Sequence, residues 1–331
     1  MKTTRRGFIG AGVVALGMSS GASEQYPRNL TKADIDRWMT ELSNWGKWGK
    51  DDQAGTVNLI TAAKRKAAAG LLREGVSVSM SLDADVPRAG AAGRTTWTLS
   101  GKPPAPGASL AAAYVIDNFS VTYHGTTTTH LDALSHLYYN GQFYNGFPTS
   151  SFTDRGAGKN DVLPFKNGIF TRGVLFDIPR LKGVPYLADD EAIYPEDLEG
   201  WEKKAGFRCE SGDAVFVRTG RWARVAAKGP LTLNQIPGLY ASCVKWLRER
   251  GAAVLGSDAV QDAGPSRIEG ANQPVHQLML YALGTPLMDN CDLEAVSEAA
   301  AQRRRWTFLV TINPLRITGA TGSPANPIAT F

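Results

Sequence analysis

The sequence predicts one α/β domain with mixed strand pairing, and three observations lead to that prediction. Short apolar runs typical of buried strands alternate along the chain with segments of helical length. No internal repeat or low-complexity linker divides the 331 residues. Hydrophobic residues make up 43% and charged residues 20%, which is typical of a globular chain with a core and excludes a disordered chain, a collagen and a coiled coil.

The N-terminal segment, residues 1–22, has the pattern of a signal peptide. Lys2, Arg5 and Arg6 precede a short apolar stretch, and the small residues 20–22 follow it as a cleavage site. The paired arginines followed by Gly-Phe-Ile resemble a twin-arginine signal, and a general secretory signal is the alternative. The stretch is too short and too rich in glycine to form a stable membrane anchor. We therefore expect a bacterial protein that the twin-arginine machinery exports to the periplasm or beyond, with 23–331 as its single domain.

Charge and cysteine content exclude further function classes. The net charge is +5, and the signal segment carries three bases and no acid, which leaves +2 for the rest of the chain. The remaining bases form no stripe, so no nucleic-acid partner is expected. The three cysteines are far apart and odd in number, which excludes a thiolate zinc site and favours buried small hydrophobes. Neither GxGxxG nor a P-loop occurs, which argues against a nucleotide cofactor.

The helices and strands follow in order from local signals. Thr31 and Thr61 are N-cap candidates for helices over 34–42 and 62–72. Further helices are predicted over 195–206, 241–251, 277–283 and 293–303. Strands are predicted over 76–82, 114–116, 119–130, 173–178, 214–218, 253–255 and 308–312. Residues 85–110 are rich in Gly, Pro and Ala and predict a long surface loop.

Three of the four histidines lie within 13 residues: His124, His130 and His136. If this segment is a strand, alternate residues share one face, which puts His124, His130 and Asp132 together. An imidazole and a carboxylate two residues apart can bind one metal ion, and such nitrogen and oxygen ligands suit zinc or manganese. His136 lies four residues beyond Asp132, where a general base could stay near the metal without binding it. A structural strand with surface histidines is the alternative reading of these residues.

The same segment resembles the signature of the cyclase family of metal-dependent hydrolases, the group that includes bacterial kynurenine formamidase and isatin hydrolase. His130-x-Asp132 and His136 match that signature. Other matching segments cover most of the mature chain: 44–49, 55–61, 140–146, 212–220, 256–258, 274–276, 287–290 and 322–327. The resemblance implies a swivelling β/β/α domain with a mixed sheet and outer helices, and a homodimer or higher homo-oligomer.

The resemblance also implies further metal ligands. His276 and Asp289 match a second ligand pair, with Asp where Glu is usual. The family's histidine four residues before His130 is Thr126 here. His124 is the candidate to replace it, and a site with fewer protein ligands is the alternative. One or two divalent ions, manganese or zinc, are therefore expected.

The implied reaction is hydrolysis of an amide, a cyclic amide or a lactone by a metal-activated water, with His136 as the base. Aromatic residues crowd the same motifs and could line a pocket for a flat aryl substrate, although core packing accounts for at least half of them. They are Trp45, Trp48, Tyr123, Tyr138, Tyr139, Phe143 and Tyr144. No Gly-x-Ser-x-Gly elbow occurs, which argues against an α/β-hydrolase. A non-catalytic periplasmic metal- or ligand-binding module on the same fold is the alternative.

Overall fold

The computed structural model describes residues 25–84, 95–100, 114–232 and 234–331. The predicted signal segment, 1–22, lies outside the described residues. The described part of the chain is a mixed α/β fold built on one nine-stranded sheet, as predicted.

The centre of the sheet is parallel and its two flanks are antiparallel. The parallel strands are β7 (Ile169–Asp177), β9 (Ala214–Arg218), β11 (Val254–Ser257) and β12 (Leu287–Asp289). Antiparallel strands continue beyond β7 in the order β13 (Thr307–Ile312), β15 (Ile328–Thr330) and β1 (Ser77–Ser79). Beyond β12 come β4 (His130–Asp132) and then β14 (Gly322–Pro324), both antiparallel to their neighbours. The predicted histidine motif therefore lies on a flank of the sheet.

Three two-stranded ribbons lie outside this sheet. They pair β2 (Thr95–Ser100) with β3 (Ile116–Val121), β5 (Phe152–Thr153) with β6 (Gly156–Ala157), and β8 (Ala192–Ile193) with β10 (Gly238–Leu239). Short 3₁₀ turns occupy Gly55–Leu59, Tyr144–Gly146, Thr149–Ser151 and Leu163–Phe165.

Eight α-helices connect the strands in the described residues: α1 (Lys32–Glu41), α2 (Ala62–Ala69), α3 (Ile178–Lys182), α4 (Pro195–Ala205), α5 (Arg221–Lys228), α6 (Ser242–Arg250), α7 (Pro274–Gln277) and α8 (Glu294–Arg303). Thr31 and Thr61 accept backbone hydrogen bonds at the starts of α1 and α2, as predicted from their residue type. A π-helical segment, Leu278–Leu283, continues α7. None of these helices is long and apolar enough to cross a bilayer.

The core lies on both faces of the parallel strands, and every residue of β9 is buried. Helices cover the two faces of such a sheet, so its strands are apolar along their whole length rather than alternating. Large side chains fill the space between the sheet and the helices, among them Trp201, Trp246, Phe216 and Phe308. Packing in this core fixes strands β4 and β12, which carry the polar side chains of the candidate metal centre.

Two predictions about local structure are wrong. The strand expected over 119–130 ends at Val121, and residues 124–127 form a turn before β4 begins. The carbonyl groups of this turn bond to the side chains of Arg221 and Asn290, which are distant in sequence, instead of to a neighbouring strand. The loop expected over 85–110 contains β2, because β3 supplies backbone partners for its six residues. Helices α3 and α5 were not predicted.

Candidate metal centre

Asp132 is the centre of a cluster of titratable side chains on the flank of the sheet. Its side chain is buried at the end of β4, between β12 and β14. Neither carboxylate oxygen accepts a hydrogen bond of normal geometry from any residue that the structure describes. A buried carboxylate without such donors is unusual, because burial of an uncompensated charge is costly. Asp132 is therefore a group that requires a cationic partner.

Two histidines face the Oδ1 atom of Asp132. His124 Nδ1 lies 3.0 Å from this oxygen and His130 Nε2 lies 3.3 Å from it. The other ring nitrogens are held in place: His130 Nδ1 is 2.8 Å from the Thr128 carbonyl oxygen, and His124 Nε2 is 3.0 Å from Thr321 Oγ1. Because a carbonyl oxygen only accepts, His130 donates from Nδ1 and turns Nε2 toward Asp132. His124 reaches this position from a turn and not from a strand.

His276 and Asp289 face the other oxygen of Asp132. His276 Nε2 lies 3.8 Å from Asp132 Oδ2 and 3.6 Å from Asp289 Oδ2. Asp289 comes to this place because β12 pairs with β4 in a register that sets it opposite His130. Ligand atoms of these three residues lie within 4.8 Å of one another, and so do those of His124, His130 and Asp132. The two sets of three share Asp132.

His136 lies at the edge of the cluster. Its Nε2 atom is 3.9 Å from Asp132 Oδ2, and its ring stacks on that of His124 with centroids 4.0 Å apart. A turn closed by the bond from the His136 amide to the Ala133 carbonyl brings it back toward β4. The side chain is 31% exposed, whereas His130 and His276 are buried. His136 thus combines access to solvent with a position beside the carboxylates.

The pKa shifts follow from three buried carboxylates beside the histidines. Burial opposes protonation of His130, but Asp132 and Asp289 outweigh it and raise the pKa of His130 to about 9. Burial likewise opposes protonation of His276, yet Asp289 and Asp262 raise its pKa. Burial raises the pKa of Asp132, but the facing histidines outweigh this effect and hold the pKa of that carboxyl well below its usual range. The cluster attracts positive charge, which a divalent cation supplies in place of protons.

The donor set fits a divalent metal ion. It offers imidazole nitrogens and carboxylate oxygens and, in the described residues, no thiolate, since the three cysteines are buried and lie outside both sets. Mixed nitrogen and oxygen ligands of this kind suit zinc or manganese. All five sequence-predicted ligands, His124, His130, Asp132, His276 and Asp289, come together here.

Residues that the sequence did not indicate support the cluster. Asp262 accepts a hydrogen bond from His276 Nδ1 over 2.9 Å, and Gln261 donates one to Asp289 Oδ1 over 2.8 Å. The guanidinium of Arg221 donates to the Thr126 carbonyl and to the Asn290 side chain. The signal that the sequence offers for these residues is proximity to the resemblance segments 212–220, 256–258 and 287–290. These contacts fix the elements that carry the cluster.

Of the aromatic residues near the motifs, Tyr123 is the one that packs on the cluster. Its ring centroid is 4.5 Å from that of His124 and 5.9 Å from that of His130. Phe143 and Tyr144 are buried in the interior, which fits core packing. Trp45 and Tyr139 line a separate cleft of about 440 Å³ near α1, and Tyr138 is largely exposed. A second cleft, of about 580 Å³, opens beside Asp262 and is lined mainly by the segment 260–273.

Comparison with known proteins gives consistent matches. A family model described as a putative cyclase matches residues 76–261. A crystal structure described as a novel cyclase is 31% identical, has a TM-score of 0.76 and aligns with 87% of this chain and 99% of its own. Searching the curated protein sequences gave no match.

Two isatin hydrolases share the fold. Isatin hydrolase A from Labrenzia aggregata, solved with benzyl benzoate, is 23% identical with a TM-score of 0.54, and covers 79% of this chain and 94% of its own. Isatin hydrolase A from Ralstonia solanacearum is 21% identical with a TM-score of 0.50, and covers 81% and 95%. The mixed sheet with outer helices that the resemblance implied is therefore the fold of this chain.

Proposed function

The chain belongs to the putative cyclase family, and from that premise we propose that it is a metal-dependent hydrolase of an amide, cyclic amide or lactone. The observation that carries the proposal is Asp132, a buried carboxylate that accepts no hydrogen bond of normal geometry from the described residues and is faced by histidines on both oxygens. A solvated or structural carboxylate would have donors around it instead.

Two ligand sets would hold the metal. His124, His130 and Asp132 form one, and His276, Asp289 and the same Asp132 form the other. We propose two ion positions that share Asp132, with manganese or zinc as the ion. A bound divalent ion supplies Lewis-acid polarisation of a substrate carbonyl and lowers the pKa of a water molecule.

His136 has the position of the general base. Its Nε2 atom lies beside Asp132, and burial lowers its pKa, so the ring is neutral and able to accept a proton near pH 7. In the proposed reaction His136 accepts a proton from the attacking water. It then donates that proton to the leaving nitrogen or oxygen as the bond to the carbonyl carbon breaks. No serine or cysteine nucleophile is required.

Tyr123 supports a small substrate with a flat ring. Its side chain packs on His124 and His130, so a planar group bound at the cluster would meet an aromatic face. The isatin hydrolases that share the fold act, by their names, on a fused aryl cyclic amide. Aryl formamides, cyclic imides, isatin and aryl lactones are therefore the first substrates to test.

The test is metal removal and restoration on the purified protein. We expect chelator treatment to abolish hydrolysis of at least one member of that substrate panel, and manganese or zinc to restore it. Full activity in chelator, together with no bound divalent ion, would reject the proposal. Retained metal without turnover on any member would instead favour the non-catalytic binding module.

Export and self-association complete the proposal. Residues 1–22 would direct twin-arginine export to the periplasm, which Arg5→Lys with Arg6→Lys should block in a fractionation experiment. A homodimer or higher oligomer would cover the β2–β3 ribbon, where Phe119 is 64% exposed, and the chain just before β3, where Tyr114 is 89% exposed. The molar mass in solution, measured by light scattering, tests this point.

A further inference from the structure

Two adjacent residues, Gln261 and Asp262, contact two of the proposed ligands that come from separate elements. Gln261 bonds to Asp289 on β12, and Asp262 bonds to His276 on α7. Both side chains are buried, at 1% and 3% exposure. One dipeptide therefore touches both residues that complete the set on Asp132 Oδ2.

Asp262 determines which nitrogen of His276 faces the cluster. Its carboxylate accepts from His276 Nδ1 at 2.9 Å, from the His276 amide at 3.1 Å and from the Val275 amide at 2.7 Å. An ionised carboxylate only accepts, so Nδ1 carries a proton and Nε2 is directed toward Asp132 and Asp289, where it can bind an ion that takes the place of its own proton. The two amide bonds fix the first turn of α7, so the ring cannot move away with its backbone.

Gln261 determines which oxygen of Asp289 faces the cluster. Its amide nitrogen donates to Asp289 Oδ1 at 2.8 Å and to the Met288 carbonyl at 3.0 Å. A carbonyl oxygen only accepts, which fixes the amide so that its nitrogen faces both groups. With Oδ1 held in this way, Asp289 presents Oδ2 to His276 Nε2 at 3.6 Å. Gln261 has φ +60°, a conformation costly for a side chain of this size, and the bond from the Leu239 amide to its carbonyl helps to hold it.

We propose that Gln261 and Asp262 are positioning residues that set the affinity of the His276–Asp289 set for a divalent ion. The proposal rests on the ion site of the proposed function. Partners that orient ligands from behind typically change metal affinity by about 10–100-fold when removed. Neither side chain needs to touch the substrate or the ion for this effect.

The test compares Asp262→Asn and Gln261→Met with the wild type by titration of the chelator-stripped proteins with zinc and with manganese. Asp262→Asn keeps the volume but cannot accept from all three N–H groups, and Gln261→Met keeps the length but donates to nothing. We expect each to weaken one binding step by about 10–100-fold, while the melting temperature of the stripped protein falls only slightly.

The matched control is Asp213→Asn. Asp213 is also fully buried and bonded, to Lys64 and Arg172, but it lies outside both ligand sets. We expect this variant to lower the melting temperature of the stripped protein and to bind ions like the wild type. Unchanged affinity in both test variants would overturn the inference while leaving the proposed function intact, whereas a wild type that binds no ion would overturn both.

Discussion

The imidazole rings of His124 and His136 lie parallel, with centroids 4.0 Å apart and planes inclined by 13°. His124 is tethered through Nε2 to Thr321, whereas the ring of His136 has no hydrogen bond to a tether of this kind among the described residues. The pair therefore joins a ring that Thr321 holds in front of Asp132 Oδ1 to a second ring without such a tether among the described residues. This difference is what we expect between a proposed metal ligand, His124, and a proposed proton carrier, His136.

Replacing His136 by alanine should keep the metal and remove most of the activity. General-base removal typically costs about 10²–10⁴-fold in kcat, and the two ligand sets do not include His136. Metal content and kcat of the variant are measured side by side, with Tyr138→Ala, an exposed neighbour, as the control expected to stay within about twofold. A metal-free His136→Ala protein would make His136 a ligand and leave the base to be reassigned.

Replacing Asp132 by asparagine should empty both sets, since each uses one of its oxygens. In the wild type, ion at about 100 times its Kd adds about 2.7 kcal/mol to the free energy of unfolding. We expect Asp132→Asn to lose this ion-dependent rise in melting temperature. A variant that keeps the full rise would show that the ion binds elsewhere.

Substitutions in the two sets should remove different ions. His124→Ala affects only the set on Asp132 Oδ1, and Asp289→Asn affects only the set on Oδ2. We expect two ions per chain in the wild type and one in each variant, measured by elemental analysis after dialysis. A single wild-type ion that both variants lose would show that the two sets hold one ion together.

Local sequence signals predicted the elements whose determinants are local. Thr31 and Thr61 cap the helices that they were expected to cap. Strand β9 has the predicted bounds because an apolar run of this length is typical of a buried strand in a parallel sheet that helices cover on both faces. That His130 and Asp132 lie together could be predicted because both belong to one three-residue strand.

Contacts between distant segments decided the rest. Asp262 acts on His276, 14 residues away, and Gln261 acts on Asp289, 28 residues away, and no periodicity encodes such pairs. The turn at 124–127 replaced a predicted strand because Arg221 and Asn290 bind its carbonyl groups. Arg221 holds the backbone carbonyl of Thr126, and the ring of His124 faces the carboxylate of Asp132.

Arg221→Lys should weaken ion binding by the His124 set and lower stability. The buried guanidinium donates to Asn290 Oδ1 at 2.7 Å, to the Thr126 carbonyl at 2.8 Å and to the Asp258 carbonyl at 3.3 Å. An ammonium cannot span these acceptors, and leaving them unpaired costs roughly 2–4 kcal/mol. Denaturant unfolding and zinc titration measure the two effects.

The control on the same helix is Arg224→Lys. Arg224 makes a bidentate pair with Asp189 and lies outside both ligand sets, so its replacement should lower stability by about 1 kcal/mol and leave zinc binding unchanged. Equal behaviour of the two variants would mean that Arg221 does not hold the turn.

Gly322→Ala should disturb the cluster through backbone packing alone. A Cβ at Gly322 would lie 2.4 Å from the Leu131 carbonyl oxygen and 3.1 Å from His124 Cε1. Real Cβ atoms do not approach a backbone oxygen so closely, so β14 must move away from β4 or the His124 ring must shift. Overpacking of this kind typically costs about 1–3 kcal/mol, and we expect lower ion affinity with it.

The matched control is Gly200→Ala on α4, where the added Cβ meets only Leu181 side-chain atoms at 3.6 Å and 3.7 Å. Alanine is the better helix residue by about 0.8–1 kcal/mol, so this variant should be as stable as the wild type or more so. Zinc titration measures the ion affinity of both variants, and thermal unfolding measures their stability. If Gly322→Ala matches Gly200→Ala in both measurements, then β14 does not constrain His124. The set of His124, His130 and Asp132 then does not depend on the close approach of β14 to β4.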